Sequence, residues 1–471
     1  MFPCGRKYAS LLAAAVLAAS LITVFSAAAP VGANGHCRDR GPDLQADTGE
    51  DCGHGDPGPE AANPYEGADV YIDPEWSAQA YSGGATAEVA EQATAVWLDS
   101  IGAVPGEGPS GMGLADHLDV ATAQGDDLVQ IVLHNLPGRD CAALRSYGEL
   151  GPEEIDRYKS EFVDPIAEII GDPAYDDLDV VAVVEPYAIP NLAAHTDPSP
   201  YATEECNRMR DNGNYMEGIA YAVTELAAVG VHNYLDAADH AVIGWQDANP
   251  AYDEFGNAVE LFGQLLAMGV DPGDVTGIAA NTAGYAATVE PYFDADDVVS
   301  GMPVEQTHWV DYNSYIDEQG FALDLRDALV GAGFDEDLGV VIDTSRNGWG
   351  GPDRPTATSG SSDPTTYVDE SRIDRRISKQ HRCNQAGAGL GARPQAEPTA
   401  DPNLHAYAWI QPPGLSDGTD GPILVPGSGY NATCAPEYGS LRDAPPRGEW
   451  FQGHFEQLLA NAWPPLSPAA E

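Results

Sequence analysis

Polar side chains, most of them carboxylates, recur where apolar segments of the chain end. Six residues lie at or shortly after such an end: Asp140, Glu185, Asp236, Asn281, Asp343 and Asp417. If the segments are parallel strands, these side chains share the rim on which barrel enzymes build their active sites. Several carboxylates in one cleft suit glycoside hydrolysis, which needs a proton donor and a second carboxylate that directs water or attacks. Aspartate is also common in the loops of an acidic chain, so a purely structural role stays open.

The apolar segments predict the elements that position these side chains. Those with the length of strands are Asp69–Ile72, Val129–Leu133, Val180–Val184, His232–Leu235, Gly277–Ala280, Gly339–Ile342 and Ala406–Ile410. Amphipathic segments separate them, and Ile219, Val223 and Leu226 share one predicted helix face. The alternation predicts an α/β fold in which seven or eight parallel strands and their crossover helices form a TIM-like barrel. No Gly-x-Gly-x-x-Gly follows a strand, which argues against a dinucleotide-binding fold.

The charge of the chain excludes some partners. It carries 74 acidic and 21 basic residues, a net charge of −53, and only three lysines. Such a surface repels nucleic acid and anionic membranes. The acidic residues are spread along the chain, which indicates a surface adapted to high salt, where self-repulsion is screened.

The first 34 residues have the features of a signal peptide. Arg6 and Lys7 precede an apolar run from about Leu11 to Ala29 that ends in small residues. Residues 35–63 are rich in Gly, Asp and Pro and indicate a flexible acidic lead-in. No later segment approaches the 18 or so apolar residues of a membrane span. We therefore expect a secreted protein that is soluble after processing.

Six cysteines lie outside the signal segment: Cys37, Cys52, Cys141, Cys206, Cys383 and Cys434. An even number in an exported chain predicts disulfides, although six cysteines allow 15 pairings. No Cys-x-x-Cys or His-Glu-x-x-His motif occurs, so no metal or other cofactor is expected.

Several long motifs resemble glycoside hydrolase family 6, and most closely its actinobacterial exocellulases. They occur in the family's order at Leu136–Ala143, Val183–Leu192, Ile342–Pro352, Cys383–Gly391 and Leu458–Leu466. The resemblance implies one catalytic domain over residues 64–471, a distorted barrel, and inverting cleavage of β-1,4-glucan in a cleft or tunnel at the carboxyl ends of the strands. It also implies the pairs Cys141–Cys206 and Cys383–Cys434, which leaves Cys37 and Cys52 for each other.

The resemblance assigns roles to individual residues. Asp140 matches the aspartate that keeps the acid protonated, Asp417 the proposed base, and Asp236 a cleft aspartate. Ser146 matches a serine near the attacking water, and Trp97 and Trp245 match tryptophans that stack on sugar rings. The residues predicted to bind substrate are therefore Trp97, His134, His240, Trp245, Asn281 and Gln411.

The chain departs from the family at its most important position. The general acid should directly follow Glu185-Pro186, where this chain has Tyr187. A phenol with an ordinary pKa near 10 is a poor donor to a glycosidic oxygen. Four further changes fall in the cleft motifs: His134 for a tyrosine, Val242 and Arg382 for tryptophans, and Gln411 for a lysine.

Three hypotheses follow for a monomeric, secreted protein. The first is an inverting, cellobiohydrolase-like glucanase whose acid is another carboxylate, such as Glu185 or Asp239, or whose local loop path differs. The second is a catalytically impaired or repurposed member that binds β-glucan without efficient cleavage. The third is a hydrolase for a different polysaccharide, because the stacking platforms have changed.

Overall fold

The computed structural model describes residues 63–107, 111–143, 148–421 and 431–468. The predicted signal peptide, nearly all of the lead-in, and the pair Cys37 and Cys52 lie outside these residues, as does Ser146. The pairs Cys141–Cys206 and Cys383–Cys434 are both present, so these two predicted disulfides are confirmed.

Eight strands of the described residues form one sheet, in the order β1-β2-β3-β4-β5-β8-β10-β9. All neighbours are parallel except β9, which runs antiparallel to β10, and β6 and β7 form a separate antiparallel pair. The strands are β1 (Val96–Leu98), β2 (Leu128–Leu133), β3 (Asp179–Val184), β4 (His232–Asp236), β5 (Gly277–Ala280), β6 (Val298–Val299), β7 (Met302–Pro303), β8 (Gly339–Asp343), β9 (Gln395–Ala396) and β10 (Leu404–Ala408).

Helices connect the parallel strands, and acidic or hydroxyl side chains start several of them. Asp317 caps α11 by accepting from Gly320 N, and Asp253 caps α10 through Gly256 N. A π-helical segment, Tyr158–Val163, joins α4 to α5. The helices are α1 (Pro74–Ser82), α2 (Ala87–Ala90), α3 (Leu114–Gln124), α4 (Ile155–Arg157), α5 (Asp164–Ile170), α6 (Ala188–His195), α7 (Glu204–Asn212), α8 (Asn214–Ala227), α9 (His240–Ile243), α10 (Glu254–Ala267), α11 (Glu318–Ala332), α12 (Pro364–Ser371) and α13 (Gln452–Ala460).

The central strands are buried on both faces, as continuous apolar runs require. Ile131, Ala182 and Ile278 pack in the main core together with helix residues such as Ile219 and Phe262. The alternate side chains form a second cluster made chiefly of strand residues: Val132, Val183, Tyr234, Val341 and Ala406. The sheet therefore curls around an interior of its own, with helices outside.

The predicted distorted parallel barrel is confirmed, with local differences. A backbone hydrogen bond from Ala95 N to Trp409 O, at 3.2 Å, connects the residue before β1 to the residue after β10. The strand predicted at Asp69–Ile72 is wrong: only Val70 pairs, in a single bridge to Leu128. β10 ends at Ala408 and not at the predicted Ile410, while β1 has only three residues and was not predicted.

Candidate active site

The loops after β2 to β5 hold non-glycine residues in left-handed backbone conformations. Asp140 has φ 59°, Glu185 50°, Tyr187 64°, Ala238 51° and Asn281 59°. Such conformations cost about 1–3 kcal/mol each and persist where surrounding contacts enforce them, most often at functional sites. The strain marks the carboxyl-end rim of the barrel as the candidate site.

Tyr187 and Asp236 meet at this rim. The backbone N–H of Tyr187 donates to Asp236 Oδ2 at 2.7 Å, and Ala238 N donates to the same oxygen at 2.9 Å. The phenol oxygen of Tyr187 is buried without a hydrogen bond, and the Thr282 hydroxyl is the side-chain donor beside the buried Asp236 carboxyl. Burial raises the pKa of Asp236 to about 7 and raises that of Tyr187 far above 10. Asp236 is therefore a carboxyl group that can carry a proton near neutral pH.

Glu185, two residues before Tyr187, is 2% exposed and fully hydrogen-bonded. It accepts from Asn135 N at 3.0 Å, Leu136 N at 3.1 Å and the Tyr158 hydroxyl at 2.9 Å. Burial raises its pKa. These contacts tie the end of β3 to the loop after β2, so Glu185 fixes the backbone that presents Tyr187.

Asp140 lies beside two arginines and a histidine. Its Oδ2 is 3.4 Å from Arg447 Nη1 and 3.9 Å from Arg139 Nε, and its Oδ1 is 3.8 Å from His134 Nε2. Burial pushes the pKa of Asp140 up, but the charges of Arg447 and Arg139 oppose it, and the pKa is lowered. Burial keeps His134 neutral by depressing its pKa. Asp140 is therefore ionised over the whole neutral range.

Asp417 is also an ionised carboxylate, but a direct arginine pair and two hydrogen bonds hold it. Its Oδ1 pairs with Arg346 Nη1 at 2.7 Å, and its Oδ2 accepts from the Tyr285 hydroxyl at 2.6 Å and from Asn384 N at 2.7 Å. The Arg346 guanidinium also lies 4.2 Å from the centre of the Tyr285 ring. Burial would raise the pKa of Asp417, yet Arg346 and the hydrogen bonds lower it.

Arg382 forms a bidentate ion pair with Asp239. Its Nε is 2.7 Å from Oδ2 and its Nη2 is 2.8 Å from Oδ1. Asp239, the N-cap of α9, is fully buried, and Arg382 lowers its pKa against the effect of burial. The guanidinium also lies 5.8 Å from the centre of the Tyr187 ring, so this pair borders the acid position.

A cavity of about 660 Å³ opens next to the ion pair. Trp245, Val242 and Arg382 line it, so the two positions where tryptophan platforms were expected face one space. Three exposed tyrosines line this cavity and are termed the rim tyrosines: Tyr201 is 62% exposed, Tyr252 48% and Tyr312 62%. Aromatic faces with a polar edge suit a ligand that is apolar on one side and hydroxylated on the other.

Comparison with known proteins identifies the family. The sequence model of glycosyl hydrolases family 6 matches residues 62–462. The chain belongs to glycosyl hydrolases family 6. The predicted family is thereby confirmed, and with it membership of a family of glycosidases.

Three relatives illustrate the similarity. Exoglucanase A of Cellulomonas fimi is 36% identical over 437 residues, which cover 85% of this chain and 48% of that protein, so the chain spans about half its length. A probable 1,4-β-D-glucan cellobiohydrolase C of Aspergillus niger is 31% identical, with 86% of this chain and 78% of that protein covered. The catalytic domain of Cellulomonas fimi Cel6B is 34% identical with a TM-score of 0.80, covering 87% of this chain and 97% of that chain.

Four further residues predicted to bind substrate fall into two groups in this family 6 protein, two that are partly exposed and two that are buried. Trp97 is partly exposed, donates to Ile410 O at 2.9 Å and contacts the His134 ring edge to face. Gln411 donates its backbone N–H to Asp343 Oδ2 at 3.0 Å. His240 and Asn281 are buried: the His240 ring pairs with Glu318, and the Asn281 amide donates to Asp343 O at 2.8 Å. The last two side chains brace the loops behind the rim.

Several residues of the site were not predicted. Arg346 lies within a family motif, but nothing in the sequence shows that it neutralises Asp417. The Arg382–Asp239 pair joins positions 143 residues apart, and only the fold brings them together. The three rim tyrosines carry no motif. The one signal that could have suggested the ion pair was Arg382 at a position where the family has a tryptophan, because a new positive charge in the cleft needs a carboxylate such as Asp239.

Two kinds of feature are absent from the described residues. No three His, Cys, Asp or Glu side chains there are grouped to hold a metal ion. None of the helices there has the length and apolar character needed to cross a bilayer.

Proposed function

We propose that this protein is a secreted, cellobiohydrolase-like hydrolase that cleaves β-1,4-glucan with inversion. The proposal rests on family membership together with the chemistry of the rim. The names of the relatives, an exoglucanase and a 1,4-β-D-glucan cellobiohydrolase, support a β-glucan as substrate. Export through the signal peptide and action as a monomer are part of the proposal.

One observation carries the hydrolytic function. Carboxyl groups on the same rim have pKa values shifted in opposite directions: that of Asp236 is raised to about 7, and those of Asp140 and Asp417 are lowered. Groups whose environments separate their pKa values in this way divide acid and base roles. An inverting glycosidase needs one protonated carboxyl and one carboxylate that accepts a proton from water.

We assign separate catalytic and binding roles to the residues at this rim. Asp140, ionised beside Arg447 and Arg139, stabilises positive charge on the sugar ring in an oxocarbenium-like transition state. Asp417 accepts the proton of the attacking water, directly or through other waters. Trp97, Trp245 and the rim tyrosines hold the chain, and His134 lies next to Asp140 at the point of cleavage.

The test uses cello-oligosaccharides and the purified chain at high salt. Proton NMR early in the reaction distinguishes the anomers, and inverting cleavage of a β-linkage yields the α-anomer first. Cellobiose as the main soluble product from cellulose supports exo attack. Release of the β-anomer first would contradict inversion. A fall in viscosity without release of cellobiose would contradict exo attack.

A second candidate function is β-glucan binding with impaired cleavage. The specific observation that favours it is Tyr187, whose burial moves its pKa away from any useful range. The same samples decide between the two. Saturable binding of cellohexaose by calorimetry, without product after long incubation, would select the binding function.

A further inference from the structure

We propose that Asp236 donates the proton to the leaving glycosidic oxygen, in place of a carboxyl group at position 187. The inference rests on the proposed hydrolysis and adds the identity of its acid. Its basis is the hydrogen bonding of the buried carboxyl groups at the strand ends, which leaves one oxygen of Asp236 open.

Two of these carboxyl groups are fully engaged by neutral donors. Both oxygens of Glu185 accept hydrogen bonds, one from Leu136 N and the other from Asn135 N and Tyr158. Asp343 accepts Ser345 N on Oδ1, and Ala283 N and Gln411 N on Oδ2. Neither carboxyl can turn an O–H towards a sugar without breaking contacts that hold the loops.

Three others are held ionised by arginine. Asp239 is paired with Arg382 and Asp417 with Arg346, while Asp140 lies beside Arg447 and Arg139. A charged partner at these distances favours the carboxylate over the acid. Asp239, which the sequence suggested as a substitute acid, is therefore unsuited to the role.

Asp236 alone among these strand-end groups lacks both restraints. It ends β4, is 3% exposed, and forms no ion pair within the described residues. Its Oδ2 is fixed by Tyr187 N and Ala238 N, while Oδ1 accepts no backbone N–H and no charged group, and the Thr282 hydroxyl is the remaining donor beside the carboxyl. A hydroxyl can rotate away from a carboxyl group, so Oδ1 is the atom at which a ligand or water can complete the contact.

The surroundings of Asp236 also keep the proton in place. Burial is the main effect that raises its pKa; the N–H groups of Tyr187 and Ala238 and the Thr282 hydroxyl oppose it, and the Asp239 carboxylate adds to it. Arg382 and Arg346, whose charges act on the neighbouring Tyr187, are paired with Asp239 and Asp417. Glu318 has a raised pKa as well, but it lies in the first turn of α11, and its Oε1 is held by the backbone N–H and the ring of His240.

The proposed step balances as follows. The carboxylic acid of Asp236 gives its proton to the glycosidic oxygen as the bond from the anomeric carbon to that oxygen breaks, and the bonding electron pair stays on the oxygen. Water forms the new bond to the anomeric carbon from the opposite face and loses its proton to Asp417. After the product leaves, Asp236, now a carboxylate, regains a proton from solvent, and Asp417 releases to solvent the proton that it took from water.

The decisive experiment compares leaving groups. Asp236→Asn keeps a carbonyl oxygen for the two backbone donors but has no acidic proton. We expect cellotetraose hydrolysis to fall about 100-fold or more, the contribution of general acid catalysis. Dinitrophenyl β-cellobioside, whose leaving group needs no proton, should stay within about threefold. Equal losses on both substrates, or no loss on either, would overturn the assignment.

Two further measurements do not depend on that variant alone. Wild-type cellotetraose hydrolysis should lose activity as the pH rises through about 7, and hydrolysis of the dinitrophenyl substrate should not; identical profiles would argue against Asp236. The double variant Tyr187→Asp, Asp236→Asn should recover cellotetraose hydrolysis, because a carboxyl returns beside the site. An inactive wild type on both substrates would defeat the proposed hydrolysis itself, whereas an active one unaffected by Asp236→Asn would defeat only the acid assignment.

Discussion

The backbone N–H of Tyr187 donates a hydrogen bond to Asp236 Oδ2 over 2.7 Å. Position 187, where the family resemblance places an acid, is thus in direct contact with a buried carboxyl group that this chain retains. A carboxyl group added at 187 would lie near the Asp236 carboxyl, and of two neighbouring carboxyl groups one tends to keep its proton. The contact connects the substitution at 187 to the protonation of Asp236.

Tyr187→Asp should therefore raise cello-oligosaccharide hydrolysis. We expect a gain of up to about tenfold in the wild-type background and a larger one when Asp236 is Asn, within the range of general acid catalysis. Initial rates on cellotetraose measure it, with Tyr187→Asn as the matched control that cannot donate an acidic proton. A slower Tyr187→Asp enzyme would mean that the phenol has a positive role.

The raised pKa of Asp236 predicts a pH-dependent stability difference. Its pKa is 3.8 ordinarily and about 7 in the folded protein, so between these values the folded state keeps a proton that the unfolded state loses. Wild-type stability should fall over that window relative to Asp236→Asn, by up to about 4 kcal/mol. Urea unfolding at pH 4.5 and pH 8 tests this; a difference independent of pH would contradict the raised pKa.

Removing only one partner of the Arg382–Asp239 pair should lower the free energy of unfolding. Arg382→Met leaves a fully buried carboxylate without its cation, and we expect a loss of about 3–5 kcal/mol. Adding Asp239→Asn removes that charge and should restore much of the loss. A double-mutant cycle from denaturant unfolding measures the coupling, and additive effects would show that the pair is of little consequence.

The rim tyrosines should contribute to binding longer chains. Tyr201→Ala, Tyr252→Ala and Tyr312→Ala should each raise KM for cellohexaose about fivefold, from roughly 1 kcal/mol of lost stacking, with kcat little changed. Tyr81→Ala, which alters an exposed tyrosine outside the cavity, is the control. An unchanged KM in all three rim variants would show that the tyrosines of this cavity do not contribute to substrate binding.

The net charge of −53 predicts stabilisation by salt. Raising the salt concentration from about 0.1 M to 1 M shortens the screening length from about 10 Å to 3 Å and weakens repulsion between surface carboxylates. Melting temperature should rise steadily with potassium chloride. A non-ionic osmolyte at matched osmolality controls for solvent exclusion, and a flat or falling curve in salt would remove the argument for adaptation to high salt.

The parts of the fold that followed from the sequence are those set by local pattern. The runs around Val180 and Gly339 are long, apolar and bounded by polar residues, so they were recognisable as buried strands. Short elements were not: β1 has three residues, and the apolar residues near Val70 make only one bridge. Whether such a short segment becomes a strand depends on the neighbouring strand with which it pairs. That partner lies elsewhere in the chain, so the local sequence does not reveal it.

From the sequence alone, the motifs predicted the family, the parallel barrel and, through the family resemblance, the two disulfides of the described residues, all of which are confirmed; that Tyr187 replaces an acid stays a prediction from the same resemblance. Each of these is encoded in residue type and order. Only the tertiary structure decided which carboxyl groups have raised and which have lowered pKa values. That property depends on burial and on charges brought from distant segments, such as Arg346 to Asp417 and Arg382 to Asp239, and a pKa follows the space around a group and not its neighbours along the chain.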